Sequence, residues 1–206
     1  MTPQTSYTES SMDFDLKSVF AIVATIISLA AFFPYFRDLL RRQTKPHIYT
    51  WLIWAITQST AVAGIWHGGG KWGAMNLTIS TVFVFGIFLF SFKYGTRDIT
   101  KFDTAMLIAA LAGVFVWWTL NDPLLAILVA TAVDMIGYLP TLRKSFKDPW
   151  SETVTTWILF VLANMLSLFA LSEFNALTLT YIVAISIANL IVAVLCIVRR
   201  RSIPRP

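Results

Sequence analysis

Apolar residues fall into long runs separated by short polar stretches, without the strict alternation of a half-buried strand. Seven runs stand out: 18–40, 48–66, 73–92, 104–120, 124–142, 153–171 and 177–198. A helix needs about 20 mostly apolar residues to cross the hydrocarbon core of a bilayer. Lipid offers the backbone no hydrogen bonds, so spanning segments must be helices or closed barrels. The pattern predicts an all-α membrane protein of seven transmembrane helices, with no room for a separate soluble domain.

Composition agrees. Of the 206 residues, 57% are hydrophobic and 13% charged, whereas a soluble domain carries about 25% charged residues. Residues 1–17 are polar, with Glu9, Asp13 and Asp15 and neither a basic start nor an apolar stretch. They read as a disordered tail rather than a cleaved signal peptide. The single cysteine, Cys196, excludes an intrachain disulfide, a cysteine-based zinc cluster and a dithiol redox centre.

Charge sets the expected orientation. With the N-terminus outside, fourteen of the sixteen Lys and Arg residues fall on the inner side, in the loops after the first, third, fifth and seventh runs. Only Lys17 and Lys71 lie outside. Cytoplasmic loops collect Lys and Arg, so the termini are expected N-out and C-in, most naturally in a plasma or bacterial inner membrane. The basic loops account for the net charge of +5. They imply contact with anionic lipid and no nucleic-acid role.

The chain also repeats itself. Laid over 124–198 with an offset of 106 and no gap, 18–92 matches at ten positions. Among them Pro34 falls on Pro140, Arg37 on Arg143, and Thr50-Trp51 on Thr156-Trp157. Ten matches are few, but proline, arginine and tryptophan are uncommon and share one register. The expected organisation is a tail (1–17), a three-helix repeat (18–92), a linker carrying helix 4 (93–123), a second three-helix repeat (124–198) and a basic tail (199–206). Three crossings per repeat would invert the second copy, and helix 4 restores its direction. Two parallel three-helix bundles then form one of the repeat classes of transporters.

Phe33-Pro34-Tyr35-Phe36-Arg37 and Leu139-Pro140-Thr141-Leu142-Arg143 each place a proline near the inner end of a repeat's first helix, ahead of a basic loop. The helices that follow open Thr50-Trp51-Leu52-Ile53-Trp54 and Thr156-Trp157-Ile158-Leu159-Phe160. In this 3-1-3 arrangement residues 18–198 resemble the SWEET and PQ-loop transporter superfamily. The resemblance implies a membrane transporter working by alternating access and leaves the substrate open among sugars, vitamins and amino acids. The superfamily also includes a sorting receptor. The chain departs from the PQ-loop pattern where Tyr35 and Thr141 replace the glutamine after the proline; Pro-Thr is closer to the sugar-transporter version.

Several residues are candidates for the work. Pro34 and Pro140 would kink their helices, as a matched inner hinge or as static bends. Trp51, Trp54 and Gln58 share one helical face, and Trp157, Phe160 and Asn164 repeat it. Gln58 and Asn164 lie near the bilayer centre, where polar side chains often mark a pathway. The two faces would make a central pocket in which rings stack on a solute and amides bond it. Alternatively the amides are interhelical glue and Trp51 and Trp157 interfacial anchors. Asn189, whose repeat partner is Phe83, joins the candidates. Asp134 is the only acidic residue inside a span; a carboxylate there must be protonated, paired or wet, which makes it a proton-coupling candidate or a lock on the bundle.

Enzyme readings fail on missing residues. His47 and His67 sit in loops on opposite sides, which leaves no zinc set or Ser/His pair, and 177–198 lacks a lysine for a retinal Schiff base. No catalytic residue, metal or cofactor is expected. The partners expected are a small-molecule substrate and lipid, with room for a homo-oligomer. A seven-helix receptor or sorting protein that binds without flux is the alternative function.

Overall fold

The computed structural model describes residues 6–119 and 122–204, with side chains from Leu16 onward apart from a few around the α4–α5 turn. Every regular element among them is helical: α1 (Ser6–Leu40), α2 (Ile48–His67), α3 (Met75–Tyr94), α4 (Lys101–Trp118), α5 (Pro123–Lys147), α6 (Val154–Phe169) and α7 (Ala176–Arg200), plus two short 3-10 turns. Six of the helices start and end within a few residues of the apolar runs. The exception is α1, which begins at Ser6, inside the expected disordered tail. Trp117 and Trp118 stand near the end of the fourth apolar run, where tryptophan favours a membrane interface; their side chains lie outside the described residues.

The surface is apolar where a soluble protein would be polar. Ile22, Ile26 and Phe33 of α1 and Ile187, Leu190 and Val194 of α7 are exposed. Buried positions, by contrast, include Thr57, Gln58, Asn76, Asp134 and Asn189. Exposed apolar area on this scale requires a lipid or protein partner. Four segments are long and apolar enough to cross a membrane: Leu16–Leu40, Lys71–Tyr94, Leu124–Lys147 and Ala176–Arg200. Val154–Phe169 is apolar but shorter, and α2 is diluted by five hydroxyl-bearing residues and Gln58.

Packing follows a reciprocal scheme. α3 touches both α1 and α2, and α7 touches both α5 and α6. α1 packs on α6, and α2 on α5. α4 lies against α5 and α2. It comes close because Gly113 has no side chain: a Cβ there would stand 2.3 Å from Val133 Cγ2. Small residues allow this approach between membrane helices.

Candidate functional site

Stretches of α1, α2, α5 and α6 line a cavity of about 430 Å3, its opening included. Trp51, Trp54, Gln58, Trp157, Phe160, Asn164 and Asn189 all line it. Residues related by the 106-residue offset line it together: Trp51 with Trp157, Trp54 with Phe160, Gln58 with Asn164, and Phe32 with Tyr138. The last pair was not foreseen. Its signal was available, since both are aromatic, matched, and two positions before the repeat prolines. α3 adds Asn76 and Ser80, and α7 adds Ile185.

The aromatic walls match across the two halves. Trp54 of α2 meets Tyr138 of α5 with ring centroids 4.5 Å apart, and Phe160 of α6 meets Phe32 of α1 at 4.9 Å. Trp54 and Trp157 meet edge to face at 5.9 Å. Aromatic pairs favour such offset and edge geometries. Trp51 and Trp157 are each 2% exposed, so neither is an interfacial anchor. Trp54 Nε1 is buried without a hydrogen-bond partner, leaving a donor beside the cavity.

The polar groups differ in how far they are engaged. Tyr138 donates to Asn189 Oδ1 at 2.7 Å. Asn76 Nδ2 donates to Ser167 Oγ at 2.9 Å, and its Oδ1 accepts from Ser80 at 3.4 Å. Gln58 Oε1 accepts from Thr81 at 3.4 Å. Asn189 and Asn76 are thus oriented by neighbours, while Gln58 is loosely held. No carboxylate, histidine, lysine or arginine lines the cavity among the described residues.

Asp134 is not part of that lining. It is fully buried behind the wall, where Thr57 donates to its Oδ1 and the Tyr181 hydroxyl approaches the carboxyl without hydrogen-bond geometry. No ion pair reaches it among the described residues.

Pro34 and Pro140 lie inside continuous helices, and a matched contact sits beside each. Thr50 donates to the Gly137 carbonyl and Thr156 to the Ala31 carbonyl, both at 2.9 Å. Each acceptor is three residues before a proline, next to the carbonyl that the missing N–H leaves without its helical donor. The offset of 106 carries one contact onto the other. Both cross from one repeat to the other.

The basic end is closed by charged groups. Asp38 accepts from Arg37 Nε at 2.8 Å and from Thr153 at 3.0 Å, joining α1 to the start of α6. Asp103 accepts from Arg143 Nε and Nη2 at 2.9 and 2.7 Å, and His47 Nε2 lies 3.4 Å away at the start of α2. Burial works against the Asp103 carboxylate, but hydrogen bonds from Arg143 and Thr100 outweigh it and hold the carboxyl below its usual range. Burial dominates at His47 and holds the imidazole below its usual value in spite of Asp103. Lys144 and Glu152 form a buried ion pair close by. No protein-family model, curated protein or solved structure matches the chain.

Proposed function

We propose that the chain is a membrane transporter that moves a small polar solute by alternating access through the cavity between its two repeats. The observation that carries this reading is the cavity itself, in which four pairs of offset-related residues converge. A pocket built twice over by the same positions suits a pathway that must close at either end. The scheme of contacts favours two parallel bundles, α1–α3 and α5–α7, with α4 as linker: each third helix lies between the other two, and the α1–α6 and α2–α5 contacts are reciprocal. The distribution of Lys and Arg favours N-out and C-in. The resemblance of 18–198 to the SWEET and PQ-loop superfamily agrees with all three.

The lining limits the solute. Aromatic faces and amides without a charged partner suit a neutral molecule with a flat or ring-shaped apolar face and several hydrogen-bonding groups. A charged solute would lose its hydration with nothing opposite to replace it. The closed basic end and the buried Thr50 and Thr156 contacts support a state in which the inner gate is shut.

The test is counterflow in liposomes over a panel of neutral hydroxylated and planar amide-bearing solutes. Gln58→Leu and Asn164→Leu fold, because leucine suits a membrane helix, and lose uptake of whichever solute the wild type carries. Full uptake by both variants would reduce these amides to packing. Binding without flux would instead favour a receptor or sorting protein. Asp134 adds a second arm. Asp134→Asn preserves shape and should keep exchange while abolishing the response to a pH step across the membrane. Equal responses in the two proteins would leave Asp134 as a lock on the bundle.

A further inference from the structure

A second cavity opens at the basic end, with about 610 Å3 of space including its mouth. Its walls include Arg37, Asp38, Gln43, Thr44, Glu152 and Arg200. The lining is polar, unlike the aromatic one at the centre, and the two cavities share no residue. What stands between them is a short chain of contacts. Trp157, a wall of the central cavity, donates its Nε1 proton to Glu152 Oε2 at 3.1 Å. Glu152, a wall of the other, accepts from Lys144 through Oε1. Lys144 also donates to the Lys45 carbonyl at 2.8 Å and the Ser151 carbonyl at 3.4 Å. One carboxylate therefore fixes an indole of the proposed binding cavity and, through Lys144, ties the end of α5 to the α1–α2 loop.

Both ionic partners are nearly inaccessible, with side chains 4% and 2% exposed. A buried pair of this kind is weak evidence for stability, since desolvation offsets most of the attraction. It is better suited to holding a geometry that can be released when water enters. The first repeat has no copy of it: Pro46 stands at the position matching Glu152 and Asp38 at that matching Lys144. We infer that the Trp157–Glu152–Lys144 chain is the barrier between the central cavity and the basic-end cavity, and that the latter is the vestibule of the same pathway. Glu152 is then a positioning residue: a solute pressing on Trp157 acts on the ion pair, and release of the pair frees the α1–α2 loop from α5. The inference rests on the transport reading but is tested without a substrate.

The reporter is Ser28→Cys, at the wall of the central cavity, in a Cys196→Ala background. A membrane-impermeant methanethiosulfonate is applied to the protein in vesicles of each orientation, and the modification rate is read from each face. In the parent protein the rate from the Arg37 and Arg143 face is low. Glu152→Gln keeps an acceptor for the indole and loses the charge facing Lys144. It should raise the rate from that face about tenfold and lower it from the opposite face, as a shift between two states requires. Trp157→Phe removes the indole donor together with part of the wall's bulk; it should still raise one rate and lower the other as Glu152→Gln does, whereas a gap alone would raise both, so it decides the matter if Glu152→Gln fails to fold. Unchanged rates in a folded variant would overturn the inference. So would a rise from both faces, which marks a loosened protein and not an opened barrier. Absence of flux in the wild type would sink the transport reading and leave these rates unaffected.

Discussion

At the basic end two carboxylates do the same job with different neighbours. Asp38 joins Arg37 to Thr153 across the α1–α6 contact. Asp103 binds Arg143 and lies 3.4 Å from His47 Nε2 across the α5–α2 contact. Arg37 and Arg143 are offset-matched, and so are Thr153 and His47; the acids are not. Asp38 is the chain neighbour of its arginine, whose side chain is 48% exposed. Asp103 comes from α4, is fully buried, and grips an arginine that is 17% exposed and also bound by Asp98. The same clasp is thus built once from within a helix end and once by drawing in a third element. The difference gives α4 a structural task beyond reversing the chain, because its first turn completes the α2–α5 contact.

The largest effect expected from this contrast is on stability. Arg143→Met leaves the buried Asp103 carboxylate without its charged partner, which costs about 3 kcal/mol. Arg37→Met breaks a half-exposed pair worth about 0–1 kcal/mol. Thermal unfolding in detergent should separate the two variants clearly. Equal losses would mean that burial does not distinguish the clasps and that α4 contributes nothing to the α2–α5 contact.

A smaller effect tests where the halves agree. Thr50→Val and Thr156→Val each remove one buried hydrogen bond to a carbonyl three residues before a proline, at about 1 kcal/mol apiece, and Thr50→Val also removes the bond that Thr50 accepts from Thr141. Unlike the arginine variants, the two should differ in the same unfolding measurement by no more than about 1 kcal/mol, the worth of that extra bond. A large inequality would show that the proline-side contacts are matched in geometry but not in energy. Thr50 is the one to watch, since it also accepts from Thr141 at 3.1 Å, a bond without a counterpart at Tyr35.

These contrasts mark what the chain made legible. Helix positions followed from apolar runs, because in lipid length and hydropathy nearly decide the matter. The members of the central cavity followed from depth and the repeat: Gln58 and Asn164 lie equally far into matched helices, and matched residues meet in one cavity. The face a side chain presents was harder to read. Asp134 and Tyr138 are one turn apart on α5, yet Tyr138 lines the cavity and Asp134 turns toward Thr57 and Tyr181. A rotation of the helix by a fraction of a turn decides this, and packing sets that rotation. Asn76 and Glu152 were hidden for a related reason. Asn76 depends on Ser167, 91 residues away, and Glu152 on the turn between α5 and α6 that brings it against both Trp157 and Lys144.

The smallest effect separates the clasps by pH. His47 has no matched histidine, and Thr153 stands in its place. The groups facing it are Asp103 from α4 and, from α5, Arg143 and Lys144; the two cations add to burial in disfavouring the imidazolium. A depressed value in the fold means that the folded chain binds fewer protons than the unfolded one. The resulting stabilisation is complete above the ordinary imidazole value of about 6.5 and is lost as pH falls through the folded value. Asp103 is also depressed, so it acts in the same direction, but in the carboxylate range well below that window. The unfolding temperature should therefore fall by a few degrees between pH 7 and pH 5, ahead of any carboxylate effect. His47→Gln should flatten this part of the curve and leave the more acidic part in place. Arg37→Met should leave the part between pH 7 and pH 5 as it is, since the α1–α6 clasp contains no histidine. A His47→Gln profile that tracks the wild type between pH 7 and pH 5 would show that the buried imidazole does not distinguish the two halves.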